Sequence, residues 1–73
     1  SKLFKEVVGC TPQEFIIRLR LNKAAELMKT TTAPIGDIAV RCGYPNQLHF
    51  SQAFKKRYGL APREWRKQNN VAM

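Results

Sequence analysis

The chain has 73 residues, of which 13 are Lys or Arg and five are Asp or Glu, for a net charge of +8. A chain of this length folds as one small domain and is too short for a large enzyme with a deep, dry active site. The excess of positive charge indicates a polyanionic partner, such as nucleic acid, an anionic membrane surface or an acidic protein.

The spacing of apolar residues and the positions of glycine and proline predict five helices and no strands. The first two are a short helix and a long one. The first covers residues 2–8 and ends at Gly9, because glycine readily adopts the left-handed conformation that closes a helix. The second covers about 12–29 and begins at a proline, which suits the first helical position. Thr11 and Glu14 have the spacing of a capping box at its start. This helix would be about 27 Å long.

The second half of the chain predicts three shorter helices. These helices cover about 35–42, 47–57 and 62–68, and a tail at 69–73 is expected to fray. Gly43 ends helix 35–42 and Gly59 ends helix 47–57, and Asn46 is a good N-cap for helix 47–57.

Residues 1–15 and 51–65 form an internal repeat. Both copies follow the pattern S-x-x-F-K-x-x-x-G-x-x-P-x-E-[FW], with six identical residues in fifteen positions. About one identity would be expected from average composition. Helix 35–42 and a turn precede the second copy, and nothing comparable precedes the first. We therefore expect the sequence to be a fragment, cut inside the first of two similar units.

The short helix, tight turn and following helix at 35–57 have the pattern of a helix-turn-helix motif. With Phe50 as the inward reference, Ala53, Phe54 and Arg57 point roughly the same way. The outer face carries amides, a hydroxyl, an aliphatic group and lysines, without an acid. Glutamine can pair with adenine, an aliphatic group can contact a thymine methyl, and lysines bind phosphates. The outer face and its flanks comprise Gln47, Leu48, Ser51, Gln52, Lys55 and Lys56.

The residue pattern does not indicate a catalytic or metal site. Cys10 and Cys42 do not have CxxC spacing. Two isolated cysteines are typical of buried free thiols in a reducing cytoplasm. His49 has no second histidine or carboxylate cluster with which to bind zinc. No nucleophile has a plausible base partner and no glycine-rich phosphate loop is present, so we predict no enzyme and no cofactor. No apolar run approaches the length of a membrane span.

The region 35–65 resembles the signature region of the AraC/XylS family of bacterial transcription regulators, and the run RLRLNKAAELM at 18–28 is similar to that family's linker helix. The matching motifs are I-x-x-I-A at 35–39, G-[FY] at 43–44, F-S-x-A-F-K-K at 50–56 and G-x-x-P-x-E-[WY] at 59–65.

This resemblance implies an all-α fold, in which two homeodomain-like helix-turn-helix units are joined by a long linker helix. The first recognition helix would end within 1–10, the linker helix would occupy 11–31, and the second unit with its C-terminal helix would occupy 32–68. The implied partner is double-stranded DNA, bound in successive major grooves. It also implies contact with RNA polymerase through the full-length protein, an upstream sensing or dimerisation domain, and a cytoplasmic, nucleoid-associated location.

Carried over position by position, the resemblance also implies which residues contact DNA. Position 52 is often Arg in relatives, so the glutamine found here favours adenine over guanine. In the first unit, Lys2 is equivalent to Gln52. The implied base contacts are Gln47, Leu48 and Gln52, with His49 and Ser51 beside them and Lys2 in the first unit, and the phosphate contacts are Lys55, Lys56 and Arg41.

Two other classes of function remain open. A basic helical module could dock an acidic protein or an anionic membrane, although the aromatic apolar face of helix 47–57 suits a protein core better than a lipid surface. An enzyme is disfavoured by the lack of paired catalytic groups. Substitution of Gln52 by Ala would separate base reading from general charge attraction.

Overall fold

The computed structural model describes residues 2–71, which form five helices and no strand. The all-α fold predicted from the sequence is confirmed. The molecule measures 42 × 23 × 18 Å along its principal axes. At 1.5 Å per residue, its 19-residue central helix is about 28 Å long and forms the spine of the molecule. The helices are α1 (Lys2–Val8), α2 (Pro12–Thr30), α3 (Ile35–Arg41), α4 (Gln47–Tyr58) and α5 (Pro62–Asn69).

The start of α2 is fixed by the predicted capping box. The Thr11 hydroxyl oxygen accepts a hydrogen bond from the Glu14 backbone N–H at 3.1 Å. The Glu14 carboxylate in turn accepts from the Thr11 hydroxyl at 2.9 Å and lies 3.5 Å from the Thr11 backbone N–H. Two backbone donors that the helix leaves free at its first turn are thus satisfied.

The internal repeat is also a repeat of backbone geometry. Gly9 and Gly59 have φ angles of 88° and 84°, in the left-handed region that favours glycine. The N–H of each donates to the carbonyl four residues earlier at 2.8 Å, from Gly9 to Lys5 and from Gly59 to Lys55. Each glycine closes a helix, and the next helix begins three residues later at a proline.

The hydrophobic core lies between the C-terminal half of α2 and helices α3, α4 and α5. The Phe54 ring is at its centre, stacked on Tyr58 with 4.4 Å between centroids and edge-on to Trp65 at 5.5 Å. Phe54 is buried, as the inward face of helix 47–57 predicted, and the partly buried Tyr58 and Trp65 pack against it. The largest fully buried side chains are Phe50, Phe54, Leu21, Met28 and Ile38.

The other end of the molecule is much less packed. Helix α1 contains no buried residue. Phe4 is half-buried and contacts Phe15 edge-on, with 5.7 Å between centroids. Ile16 and Leu19 in the first half of α2 are 49% and 52% exposed. The two copies of the repeat therefore share a backbone turn but differ strongly in burial.

Helix α5 binds the chain that connects α2 to α3. The Arg66 guanidinium donates to the carbonyls of Met28, Thr31 and Ala33 at 3.3, 3.1 and 2.6 Å. The Asn70 amide donates to the Thr31 carbonyl at 2.9 Å, and the Val71 N–H donates to the Lys29 carbonyl. Residues 70 and 71, within the tail that the sequence predicts to fray, therefore pair with the end of α2 and the residue after it, and the fraying stays a prediction. Residues 72 and 73 lie outside the described residues.

Candidate nucleic-acid interface

Helix α4 carries most of the predicted contacts, and its orientation is fixed at three points. The Asn46 side-chain oxygen accepts from the His49 N–H at 3.1 Å, which caps the first turn. Phe50 and Phe54 are completely buried, so their face of the helix is held against the core. The opposite face is consequently presented to solvent in a defined rotation.

The structure brings the sequence-predicted residues of α4 together on this exposed side. Leu48 is 66% exposed, which leaves its side chain accessible to a partner. Ser51 is half-buried, and the remaining predicted positions are exposed. The His49 ring lies edge-on to Tyr44 at 5.6 Å and so sits at the border of the core. The exposed positions are Gln47, His49, Gln52, Lys55 and Lys56.

Two predicted residues lie on other helices. Lys2 begins α1, and Arg41 ends α3. Both are exposed. The structure therefore does not bring them onto the outward face of α4, and each would need its own contact with a partner.

Gln47 has a neighbour that the sequence did not indicate. A side-chain carbon placed on Gly36 would lie 3.0 Å from the Gln47 amide oxygen. Gln47 therefore packs across the first turn of α3 as well as standing at the start of α4. The glycine at position 36 leaves the space for this close approach.

The C-terminal end of α4 is tied to α2 by a network that sequence reasoning missed. Arg57 was expected to point inward, but it is exposed and donates to the Asn22 side-chain oxygen at 3.2 Å. The Tyr58 hydroxyl donates to the same oxygen at 3.0 Å. The Arg57 guanidinium also lies over the Tyr58 ring, 5.6 Å from its centroid. The partners are 35 and 36 positions apart in sequence, so periodicity within α4 carries no signal for them.

A groove of about 610 Å³ separates α4 from the first half of α2. Its walls carry three cations, Arg18, Lys56 and Arg57, against one acid, Glu14. Gln52 also lines it, so the groove adjoins the outward face of α4. This groove will be called the α2–α4 groove.

Among residues 2–71, three titratable groups depart from their ordinary pKa values. The hydrogen bonds from the Thr11 side chain and backbone lower the pKa of Glu14, with smaller contributions from Lys5 and Arg18. Burial raises the pKa of the Cys42 thiol, and burial likewise raises that of Tyr44. Cys42 is therefore a protonated thiol at neutral pH, without the thiolate character that a nucleophile requires.

Other kinds of site are not found in the described part of the chain. Among residues 2–71, no group of three or more His, Cys, Asp or Glu side chains could hold a metal ion. No helix within that range is long and apolar enough to span a membrane. Cys10 and Cys42 are both free and buried, as the sequence predicted.

Comparison with known proteins places the chain among transcription regulators. Residues 1–68 match the family described as "Helix-turn-helix domain". The chain is 39% identical over 69 residues to the transcriptional activator RhaS of Enterobacter sp. (strain 638), covering 94% of this chain and 25% of that protein. It is 40% identical over 60 residues to the probable transcriptional regulator LumQ of Photobacterium leiognathi, covering 82% and 24%. The chain thus spans about a quarter of the length of these relatives.

Solved structures agree in fold. The C-terminal domain of AraT, a response regulator from Geobacillus stearothermophilus, has a TM-score of 0.92 and 38% identity over 97% of this chain and 59% of that chain. An AraC-type transcriptional regulator from Chromobacterium violaceum has a TM-score of 0.89 and 33% identity, covering 99% and 64%. The chain therefore belongs to the AraC-type helix-turn-helix family, whose members are DNA-binding domains of transcription regulators and not enzymes.

Proposed function

We propose that this domain recognises double-stranded DNA by inserting α4 into the major groove. The observation that supports it most directly is the outward face of α4, which is exposed, held in one rotation by Phe50 and Phe54, and free of acidic residues. An α-helix with its side chains is about 10–12 Å thick, close to the roughly 12 Å width of the major groove. The helix therefore fits the groove with its outward face against the base edges.

The side chains on this face have distinct roles in the proposal. The amides of Gln47 and Gln52 pair with adenine, and Leu48 contacts a thymine methyl group. Ser51 and His49 contact base edges at the sides of the helix. Lys55 and Lys56, in the last turn of α4, bind phosphates, as does Arg41 on α3.

The first copy of the repeat supports a second contact region. Lys2 of α1 takes the place of Gln52 and would contact a base in an adjacent major groove. Successive major grooves on one face of DNA are about 34 Å apart. Helix α2, about 28 Å long, is of suitable length to separate the two contact regions. In this division, 1–10 ends the first unit, 11–31 is the linker and 32–68 is the second unit.

Further proposals concern a longer regulator of the kind represented by the relatives. An additional sensing or dimerisation domain would control DNA binding, and the full-length protein would contact RNA polymerase. The free, buried thiols are compatible with a reducing cytoplasm, where the protein would associate with the nucleoid.

The experiment that tests DNA recognition is a fluorescence-anisotropy titration at about 50 and about 200 mM salt. The unaltered chain is titrated against mixed-sequence duplex and against a duplex selected from a random pool. We expect binding that weakens steeply with salt. Gln52→Ala should weaken binding to the selected duplex by about 1–3 kcal/mol, which is roughly 5- to 150-fold, with little effect on the mixed duplex.

Gln68→Ala provides the matched control, because it removes the same amide from an exposed position on α5. If both variants bind both duplexes alike, α4 does not read bases through Gln52. If the unaltered chain does not bind DNA even at low salt, the positively charged surface serves a different partner, such as an acidic protein.

A further inference from the structure

The α2–α4 groove lies beside the face of α4 that we propose reads bases. His49, Gln52 and Lys56 line it from α4, at the spacing of successive helical turns. Gln52 belongs both to the groove and to the outward face. A DNA strand that contacts Gln52 from outside would therefore pass close to the opening of the groove.

Arg18 is the cation that α2 contributes to this groove. Its side chain is half-buried, so the surrounding groove restricts its position. Within residues 2–71, the Arg18 guanidinium forms no side-chain hydrogen bond and no ion pair, although its charge helps to lower the pKa of Glu14. Glu14, one turn earlier, is the acid that lines the groove, and its carboxylate already accepts hydrogen bonds from the Thr11 hydroxyl and backbone N–H. The guanidinium is thus available to an incoming anion.

The other arginine on this part of α2 is directed elsewhere. The Arg20 guanidinium carbon lies 5.9 Å from the centroid of the Tyr44 ring, and its Nε approaches the position that a side-chain carbon on Gly43 would take. Arg20 therefore packs against the turn between α3 and α4. Arg18 is the arginine of α2 that lines the groove with Lys56.

The dimensions of DNA indicate what the groove would meet. Because a helix and its side chains nearly fill the width of the major groove, the flanks of α4 must lie against the two rows of phosphates that border it. With α4 inserted as proposed, its α2 side would face one of these rows. An arginine fork matches the geometry of a phosphate and binds it with two charge-assisted hydrogen bonds.

We propose that Arg18, together with Lys56, binds a backbone phosphate on the α2 side of α4. The inference rests on the proposed insertion of α4 into the major groove. It makes α2 a DNA-contacting element in its own right, in addition to its role as a spacer between the two units.

The test is the salt dependence of binding to mixed-sequence duplex for the unaltered chain and four variants. Each phosphate contact contributes about 0.9 to the slope of log K against log salt. Arg18→Gln should lower the slope by about that amount, and Arg18→Lys should retain most of it because the charge is kept. Lys23→Gln is the control, because Lys23 lies about 140° around α2 from Arg18 and its charge acts on the Cys42 thiol, just after α3. Its slope should change much less.

Lys55→Gln separates this inference from the proposed function. Equal slopes for Arg18→Gln and Lys23→Gln, with a lowered slope for Lys55→Gln, would overturn the role of Arg18 and leave DNA binding by α4 intact. Far-UV circular dichroism establishes that each variant is folded. Lack of salt-sensitive binding by the unaltered chain would overturn both proposals.

Discussion

Replacing Phe54 by Ala should remove a large part of the stability of this domain. Phe54 is 0% exposed and contacts three aromatic rings, those of Phe50, Tyr58 and Trp65, at centroid distances of 5.8, 4.4 and 5.5 Å. Truncation of a fully buried phenylalanine costs about 3–5 kcal/mol, because transfer free energy is lost and a cavity is left. We expect a loss at the upper end of this range, since the ring pairs add about 0.5–1.5 kcal/mol each.

The loss expected for Phe54→Ala is large compared with the free energy of unfolding of the whole domain. At about 0.05–0.15 kcal/mol per residue, a domain of this length has roughly 4–11 kcal/mol of stability. With a urea m-value of about 1 kcal/mol/M, a loss of about 5 kcal/mol should lower the midpoint of unfolding by about 5 M. Urea titration followed by far-UV circular dichroism measures this, and the fluorescence of Trp65, the single tryptophan, reports the same packed site.

Phe4 is the matched control, because it occupies the position of Phe54 in the first copy of the repeat. It is half-buried and has Phe15 as its ring neighbour. Phe4→Ala should cost about 1 kcal/mol, roughly half of the transfer free energy of a fully buried phenylalanine. If Phe4→Ala destabilises the chain as much as Phe54→Ala, the assignment of the core to one side of the repeat is wrong.

Two further predictions concern polar contacts. Arg66→Gln removes a guanidinium that donates to three carbonyls, so the free energy of unfolding should fall by about 2 kcal/mol in the same urea assay. An unchanged midpoint would mean that these bonds do not hold α5 to the end of α2. For Glu14, whose pKa is lowered from 4.5 in the folded chain, the capping interaction stabilises α2 fully above pH 4.5 and is lost as the pH falls through the lowered value. A ¹³C NMR titration of the carboxyl should give a pKa below 4.5 that rises in Thr11→Ala; a value of 4.5 or more in the unaltered chain would contradict this.

The sequence predicted those parts of the structure that depend on neighbours in the chain. The capping box at Thr11 and Glu14, the N-cap at Asn46 and the glycine turns were predicted because each involves groups within four residues of one another. The buried positions of Phe50 and Phe54 on α4 followed from helical periodicity, which reports the face that an element turns toward the core.

Contacts between distant segments could not be predicted in this way. Arg57 and Tyr58 share one oxygen of Asn22, and Arg57 lies at the edge of the buried face, where periodicity does not decide between core and surface. Arg66 and Asn70 donate to backbone carbonyls, which every residue possesses, so no residue type identifies the acceptor. The tail was expected to fray because chain ends are usually poorly ordered.

The candidate interface depends partly on local sequence pattern and partly on contacts between distant segments. The residues on the outward face of α4 were identified from the helical angle alone, and their exposure agrees with that angle. The contact of Gln47 with the first turn of α3, and the presence of Arg18 in the α2–α4 groove, depend on how helices pack. Which of these residues contacts a base or a phosphate stays a prediction for the titrations described above.

The uneven packing of α2 has a consequence for backbone hydrogen exchange. Its C-terminal half is anchored by buried residues from Leu21 to Met28, whereas Ile16 and Leu19 in the other half are largely exposed. Amide protons exchange through local opening where few apolar contacts must break, and through global unfolding where many must break. Protection of the backbone amide protons against exchange therefore increases along α2. Its first turns open while its last turns remain closed. Such opening changes the spacing of the two contact regions before it disturbs the core, so a ligand that bridges both regions would slow exchange most in the first half of α2.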